Sequence, residues 1–567
     1  MKAIAGYLSY QSLDTAPIVA SMLQKMTHRG IPAGPFPSEK SKISVSWDGR
    51  LDNRAEIETM LFPAADDESL IHEAYLRWGS GLFARLRGDF AAVIRDPSSR
   101  RIYLGRDRFG VKPLYYCHNE SGFGFASEIE PLLALPGMTR RPNEEMIRQF
   151  LHGRIEDAAQ TYFEGIRLVP PGHFLTCDLE LQKPVEITSY WQPELTHVLH
   201  YKDPQEYLDQ YAELLKQAVA CRIKDAKRPA LLFSGGLDSA QIFAAAEHLR
   251  IEKKFRPSLN AFMLIDPGLR EEEWNTLQAF RQRYHSPIQE IPCDTTRDIM
   301  EQSLEPSESP NFDGFPVVPY VLEAIRDAQC DVVLTGFGGN EIFQNYEYGY
   351  LQDLLLQFRW QTLARELAKD CHATQDAFMP SLRGLIRESL IEFLPQKGRP
   401  KEDPAPLARK RVIRALKHPG LSHGLCHMDE RLAHRGLEGR HPFLDSRLVE
   451  FMLSVPDALK VRFGYRKMFA QKACESFLPG PLLSQENFTG HFQNFPRYVE
   501  NPSPKLTDYL SDPQRPVFQW TCHAKIQRLF RYDKKSFWRY NLPLWRLVAL
   551  DVWLTHHFSD TLKQEVL

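Results

Sequence analysis

The chain of 567 residues carries 70 Lys and Arg against 72 Asp and Glu, so its formal charge of −2 provides no global basic field for non-specific nucleic-acid binding. Hydrophobic residues at 43% and aromatics at 11% exclude a disordered chain, and the length suffices for two or three domains with substantial cores. Nine cysteines, scattered from Cys117 to Cys522 without a C-x-x-C pair, suggest neither a zinc ribbon nor a disulfide framework and fit a reducing cytoplasm.

The first residues, Met1-Lys2-Ala3-Ile4-Ala5-Gly6-Tyr7, are too short in apolar length for a signal peptide, and no later run reaches the roughly 20 apolar residues of a membrane span. A cytoplasmic chain is therefore predicted. Up to about residue 190 the pattern is of short strands: Ile43 to Leu51, Phe90 to Arg95 and Arg101 to Arg106 across the turn Asp96-Pro97-Ser98-Ser99-Arg100, then Leu114 to Cys117 and Gly122 to Ala126. Leu70, Ile71, Ala74, Tyr75 and Trp78 repeat at helical spacing before Gly79. This predicts a mixed domain rich in antiparallel sheet.

Asp203-Pro204-Gln205-Glu206 reads as an N-cap, a proline at the first helical position and a capping-box glutamate, opening a helix with Leu208, Tyr211, Leu215 and Val219 on one face. Next, Ala230 to Phe233 fits a buried parallel strand that stops at Ser234-Gly235-Gly236-Leu237-Asp238-Ser239 and passes into good helix formers. Two glycines permit close backbone approach to a ligand, a helix N-terminus offers unpaired N–H groups, and Ser234 and Ser239 add hydroxyl donors. Such a loop favours phosphate, and a carboxylate beside phosphate implies an intervening cation such as Mg2+.

Leu259 to Leu264 and Asp331 to Thr335 read as further strands alternating with helices, which predicts a parallel sheet with its ligand site at the carboxyl ends. The turn Gly336-Phe337-Gly338-Gly339-Asn340-Glu341 then faces the same crevice as Ser234 to Ser239. From about residue 350 the chain reads as helical, with Leu351, Leu354, Leu355 and Phe358 in phase. A basic stretch (Lys397, Arg399, Lys401, Arg409, Lys410, Arg411, Arg414, Lys417) reads as a solvated face, with a peptide-contacting patch as the alternative. His427, His434 and His441 are not at a metal-ligand spacing, and Trp545, Val548 and Val552 mark a docked core helix in the tail.

The string SGGLDS resembles the pyrophosphate loop of the ATP pyrophosphatases. His28-Arg29-Gly30, Trp47 to Arg54, Leu86 to Ala91, Gly105-Arg106-Asp107-Arg108-Phe109-Gly110-Val111-Lys112-Pro113 and Phe125 to Ile129 resemble, in order, the class II glutamine amidotransferase domain of asparagine synthetases. Thr161 to His173 with Tyr190-Trp191, and Leu437-Glu438-Gly439-Arg440-His441-Pro442-Phe443-Leu444-Asp445, continue the likeness into the synthetase part. The resemblance implies an α/β and α+β two-domain architecture. Residues 1–195 form an amidotransferase-like antiparallel sandwich flanked by helices, and residues 200–567 an ATP-pyrophosphatase-like parallel sheet with extra helices.

It further implies ATP and Mg2+ as cofactors. ATP and pyrophosphate would be held by Ser234, Gly235, Gly236, Leu237, Asp238, Ser239, Leu264, Gly336 and Gly338, and the metal by Asp238 with Asn340 and Glu341 as further candidates. Glu438 matches the glutamate that, in β-lactam synthetases, deprotonates an amine with a tyrosine whose place Phe337 takes here, which leaves Glu438 as base or as orienter of the amine. Relatives have an Asp where Asn340 stands, and an Arg and a Lys near Leu483 to Thr489 that this chain lacks, although Arg466 or Lys467 could supply the charge. Lys2 occupies the position of the glutaminase cysteine, which predicts a domain without glutaminase activity.

The absence of a Cys after Met1, the aromatic Phe337 in the glycine loop, and Ser239-Ala240 with Ile242-Phe243 after the pyrophosphate loop are together most similar to the lasso-peptide cyclases. They imply a macrolactam-forming ligase with Asp238 and Glu438 as catalytic residues, a precursor peptide as substrate, and a leader peptidase and a leader-recognition protein as partners. Two alternatives stay open: a small-molecule ligase like the asparagine or β-lactam synthetases, and a non-catalytic scaffold that binds a peptide.

Overall fold

The computed structural model describes residues 1–10, 14–30, 42–180, 184–194, 198–252, 259–265, 271–285, 287–292, 307–310, 318–374, 378–393, 406–460, 467–483, 509–529 and 541–564. Among the described residues nine strands lie before residue 190: β1 (Ala5–Ser9), β2 (Ser44–Leu51), β3 (Gly88–Asp96), β4 (Arg101–Arg106), β5 (Tyr115–Asn119), β6 (Gly122–Ala126), β7 (Ile166–Leu168), β8 (His173–Asp178) and β9 (Glu186–Ser189). They form two antiparallel sheets, in the orders β1-β6-β5-β7 and β2-β3-β4-β8-β9. A core of Ile4, Ala91, Val93, Leu104, Tyr116, Phe125 and Leu175 draws residues from both sheets. The helix Asp67–Trp78 lies on the second sheet, capped by Asp66 accepting from Ser69 N–H and stopped by Gly79.

The helix Pro204–Ile223 opens with the capping box expected of Asp203 and Glu206, and buries Tyr211, Leu215 and Val219. Beyond it, β10 (Pro229–Leu232), β11 (Asn260–Ile265), β12 (Ile288–Pro292), β13 (Val332–Leu334) and β14 (Glu438–Arg440) make one sheet in the order β12-β11-β10-β13-β14. Every pairing in it is parallel. With β10 at the centre, the loops leaving β10 and β13 emerge side by side at the carboxyl edge.

Two expectations change. Phe358 falls beyond the end of the helix Gly339–Leu356 and is 73% exposed rather than part of its buried face. The basic helix Leu407–Leu416 is not simply a solvated face either. Arg409 is buried against Asp457 at 3.2 Å and Arg411 donates to Gln352 at 2.9 Å, while Lys397, Arg399 and Lys401 lie outside the described residues.

The tail helix Asn541–Gln564 does dock, and its partner is the antiparallel part: Trp553 packs against Tyr162 and Phe163, and Val548 joins Ile147 and Phe150 in one core. Buried polar contacts bind the same two parts of the chain elsewhere. Arg29 donates to Glu128 at 2.5 Å and to Asp429 at 2.8 Å, and Lys112 lies 3.4 Å from Asp429. In the Gly105 to Pro113 motif, Asp107 Oδ1 accepts from the N–H groups of Phe109, Gly110 and Val111, closing a tight loop. Arg106 reaches across to Ser422 Oγ at 3.1 Å.

Candidate active site

β10 ends at Leu232 and the following helix begins at Leu237, so Phe233 to Gly236 form the whole connection. Gly235 has φ +71°, the left-handed region that glycine occupies at little cost. The serines shape this loop from within. Ser234 N–H donates to Ser239 Oγ at 3.1 Å, Ser239 Oγ donates to the Gly236 carbonyl at 3.1 Å, and Gly236 N–H donates to Ser234 Oγ at 3.2 Å. The two hydroxyls lie 3.0 Å apart. Part of the donor set expected at this loop therefore holds the turn itself, and a helix N-terminus follows it directly.

The glycine loop after β13 meets this turn. A β-carbon on Gly339 would lie 2.6 Å from Asp238 Cγ, and one on Gly336 would lie 3.2 Å from Asp238 Cβ, so the absence of side chains lets the two loops approach. Gly338, at φ +92°, packs on Leu444 of the turn after β14. His441 fixes the loop from that side. Its Nδ1 lies 2.7 Å from Thr335 Oγ1, which also accepts from Phe337 N–H at 3.3 Å, and its ring meets Phe337 edge-on. Burial pushes the His441 imidazole down to about 4, so it is neutral at physiological pH.

Asp238 and Asn340 converge on one cation. Lys467 Nζ donates to Asp238 Oδ1 at 2.7 Å, to Asp238 Oδ2 at 2.5 Å and to Asn340 Oδ1 at 2.9 Å. Lys467 is buried, has φ +58° and caps the helix Met468–Ala473, which places its ammonium over the Phe343 ring at 5.8 Å. Lys467, one of the two upstream candidates, therefore brings a positive charge to this cluster. Residues 484–508 and Arg466 lie outside the described residues. Oxygen donors focused on a cation also suit a hard divalent ion, with Asp238 as the charged ligand and Asn340 as a neutral one. Glu341 differs: burial, and to a lesser degree the Asp238 charge, push its carboxyl up, which weakens it as a charged ligand.

Leu264 pairs with Ile291 beyond the last β10 partner of β11, at the carboxyl edge of the sheet as expected. Glu438 stands elsewhere. It pairs in register with Val332 at the amino end of β13, two residues short of the carboxyl edge. Its carboxylate accepts from Arg440 Nε at 2.9 Å. Burial alone would raise its pKa, but Lys112 and Arg440 hold it well below the usual carboxylate range. A carboxylate so stabilised takes up a proton poorly, so of the two expected roles, base and orienter of the amine, its surroundings suit the orienter better.

At the start of β1 there is no thiol. Lys2 N–H donates to Asp48 at 2.8 Å, and its half-exposed ammonium pairs with Glu68 at 2.7 Å. Cys117 sits in the core. The histidines in the seven-residue series do not gather on a metal: His434 stacks on His28, His427 lies against Ser307 and Ser309, and His441 holds the glycine loop.

The parallel sheet with its paired glycine loops, joined to two antiparallel sheets, defines a nucleotide-cleaving ligase fused to an amidotransferase-type domain. Residues 210–555 match the asparagine synthase family and residues 32–191 the glutamine amidotransferase domain. The chain belongs to the asparagine synthase family, whose members are ATP-dependent carbon–nitrogen ligases that release AMP and pyrophosphate. It is 24% identical over 523 residues to asparagine synthetase [glutamine-hydrolyzing] 3 of Bacillus subtilis, covering 87% of this chain and 83% of that protein. With asparagine synthetase [glutamine-hydrolyzing] 2 of the same organism the identity is 26%, over 77% of this chain and 61% of the relative. Amidase chry2 of Gibberella zeae is 29% identical over 38% of this chain and 32% of its own length. No helix among the described residues is long and apolar enough to cross a membrane.

Proposed function

We propose that this ligase adenylates a side-chain carboxylate of a peptide and closes an amide bond to the same peptide's amino group. The observation that carries the reading is the contrast between its two parts. The Asp238, Lys467 and Asn340 cluster keeps a focused cation site beside the phosphate loop, whereas the position before β1 holds Lys2, paired with Glu68, in place of a thiol nucleophile. A first domain without glutaminase chemistry delivers no ammonia, so the amine comes with the substrate. A substrate carrying both carboxylate and amine closes on itself, as the likeness to lasso-peptide cyclases implies.

In this reading residues 1–195 are a structural and docking partner, and residues 200–567 perform the ligation. Ser234 and Ser239 hold the loop open, while the helix N-terminus beginning at Leu237 binds the pyrophosphate portion of ATP. Asp238 and Asn340 would hold Mg2+, which, when bound, neutralises phosphate charge and polarises the phosphoryl oxygens. The Lys467 ammonium holds these same oxygens, so with Mg2+ bound it would be displaced toward the phosphates, where its charge meets the negative charge that develops as the substrate carboxylate attacks the α-phosphorus and pyrophosphate departs. Leu264 lies where the strand edge runs beside the adenine. Glu438, ionised two residues short of the carboxyl edge, would orient the amine, which gives up its proton to solvent before nitrogen attacks the acyl carbon and expels AMP. The closed site must exclude water, since the adenylate otherwise hydrolyses.

The small-molecule reading rests on the asparagine synthetases among the relatives. Pyrophosphate exchange into ATP separates the two. Exchange that requires a precursor peptide supports peptide closure, whereas exchange with free aspartate alone supports the small-molecule ligase. Absence of any exchange, with nucleotide binding unchanged in Asp238→Ala, would leave only a scaffold.

A further inference from the structure

A groove of about 490 Å³ opens beside the nucleotide site, walled by the N-terminal end of the Pro204–Ile223 helix, the helix Trp360–Thr374 and the helix that Lys467 caps. Its floor continues the active-site packing. Phe469 lines the groove and packs on Tyr211, which also meets Phe343, the ring beneath the Lys467 ammonium.

Its charge is one-sided. Among the described residues, Arg359, Arg365, Lys369 and Lys472 line it against the single lining carboxylate of Glu366, which is buried and paired with Arg365 at 3.1 Å and Lys369 at 3.4 Å. Exposed aromatics adjoin it in the chain: Phe358 and Trp360, 73% and 53% exposed, flank the lining residue Arg359 with ring centroids 6.0 Å apart. Phe358 has φ +58° at the end of the Gly339–Leu356 helix, where Arg359 N–H donates to Leu354 O and Phe358 N–H to Leu355 O. That left-handed position is usually glycine, and helix ending alone gives no reason for a large exposed ring there. Exposed aromatics beside fixed cations are the usual anchors of peptide recognition.

We propose that this groove docks an acidic stretch, studded with apolar residues, of the peptide substrate, holding it while another part of the same peptide reacts beside Asp238. The assignment rests on the peptide reading above. Excess positive charge selects the acidic stretch, Phe358 and Trp360 receive its apolar side chains, and the shared floor connects the groove to the nucleotide loops.

The test uses the full chain, a short fluorescein-labelled peptide alternating Glu and Leu, and its counterpart with Lys in place of Glu. Anisotropy is expected to show salt-sensitive binding of the acidic peptide alone, weakened about tenfold or more by the triple charge reversal R359E/R365E/K369E and by Trp360→Ala. The same triple variant is expected to raise the KM for a precursor peptide in pyrophosphate exchange, with nucleotide affinity unchanged. Equal binding of both peptides, or indifference of binding to the reversals, would overturn the groove. Precursor-dependent exchange with an unmoved KM would overturn the groove and leave the peptide reading intact. Acidic-peptide binding that responds to the reversals, with no peptide supporting exchange, would instead overturn the peptide reading and with it the groove's role in holding substrate.

Discussion

Asp238 is the residue on which the proposed chemistry turns, and its two partners, Asn340 and Lys467, differ in how far local sequence ties them to it. Asn340 could be picked out from its motif, because a glycine loop after a strand in a parallel sheet must face the first loop. Lys467 could be named only as a candidate, since nothing local ties a lysine to an aspartate 229 positions away. The left-handed backbone at Lys467 aims the side chain, and that is a tertiary property. Replacing Lys467 by Met should lower kcat/KM by about a hundredfold or more, measured as pyrophosphate release, because a positive charge at developing negative charge is removed. Asn340→Asp adds a second carboxylate beside Asp238 and should lower the Mg2+ concentration at half-maximal rate, and a Mg2+ titration that moves the other way would sink the metal assignment. Gly339→Ala puts a methyl 2.6 Å from Asp238 Cγ and should cut activity strongly without loss of fold, checked by rate and circular dichroism together.

Elements bounded by strong local signals were legible in the sequence. The capping box at Asp203 forms as read, and Asp203→Ala should cost about 1 kcal/mol in denaturant unfolding through the loss of that cap. The hairpin between Arg95 and Arg101 closes where its Asp-Pro-Ser-Ser turn predicts, with Asp96 accepting from Ser98 N–H at 2.9 Å. What an amphipathic face touches was not legible. Trp545 and Val548 announce a buried stripe, yet periodicity cannot say that the stripe lies on Ile147 and Phe150 of the antiparallel part. Likewise the charges of the Leu407–Leu416 helix read as a surface, because pairing of Arg409 with Asp457 depends on a neighbouring helix. Glu438 shows the same limit at a functional position: its motif was plain, while the field of Lys112, which sets its ionisation, comes from the other domain.

At the scale of the whole molecule, the two parts are joined by buried charge. Arg29→Met would leave Glu128 and Asp429 without their shared partner and should cost about 3–5 kcal/mol of stability, read by thermal or denaturant unfolding. Acid groups in the same contact give a pH signature. Burial pushes Glu430 up to about 8 and raises Glu308 as well, with neighbouring carboxylates adding to both shifts. The folded chain then keeps protons that the unfolded chain loses near pH ~4.3, so this contribution makes stability fall as pH rises from there to about 8. Glu430→Gln should flatten that slope. Under the proposed peptide closure, the substrate brings its own amine. The most direct test of that closure is mass spectrometry of a linear precursor peptide incubated with the full chain, ATP and Mg2+. A product lighter by one water, with AMP and pyrophosphate formed in equal amount and no need for glutamine or ammonia, is the predicted result. An unchanged peptide, with AMP formed instead from free aspartate and ammonia, would contradict it.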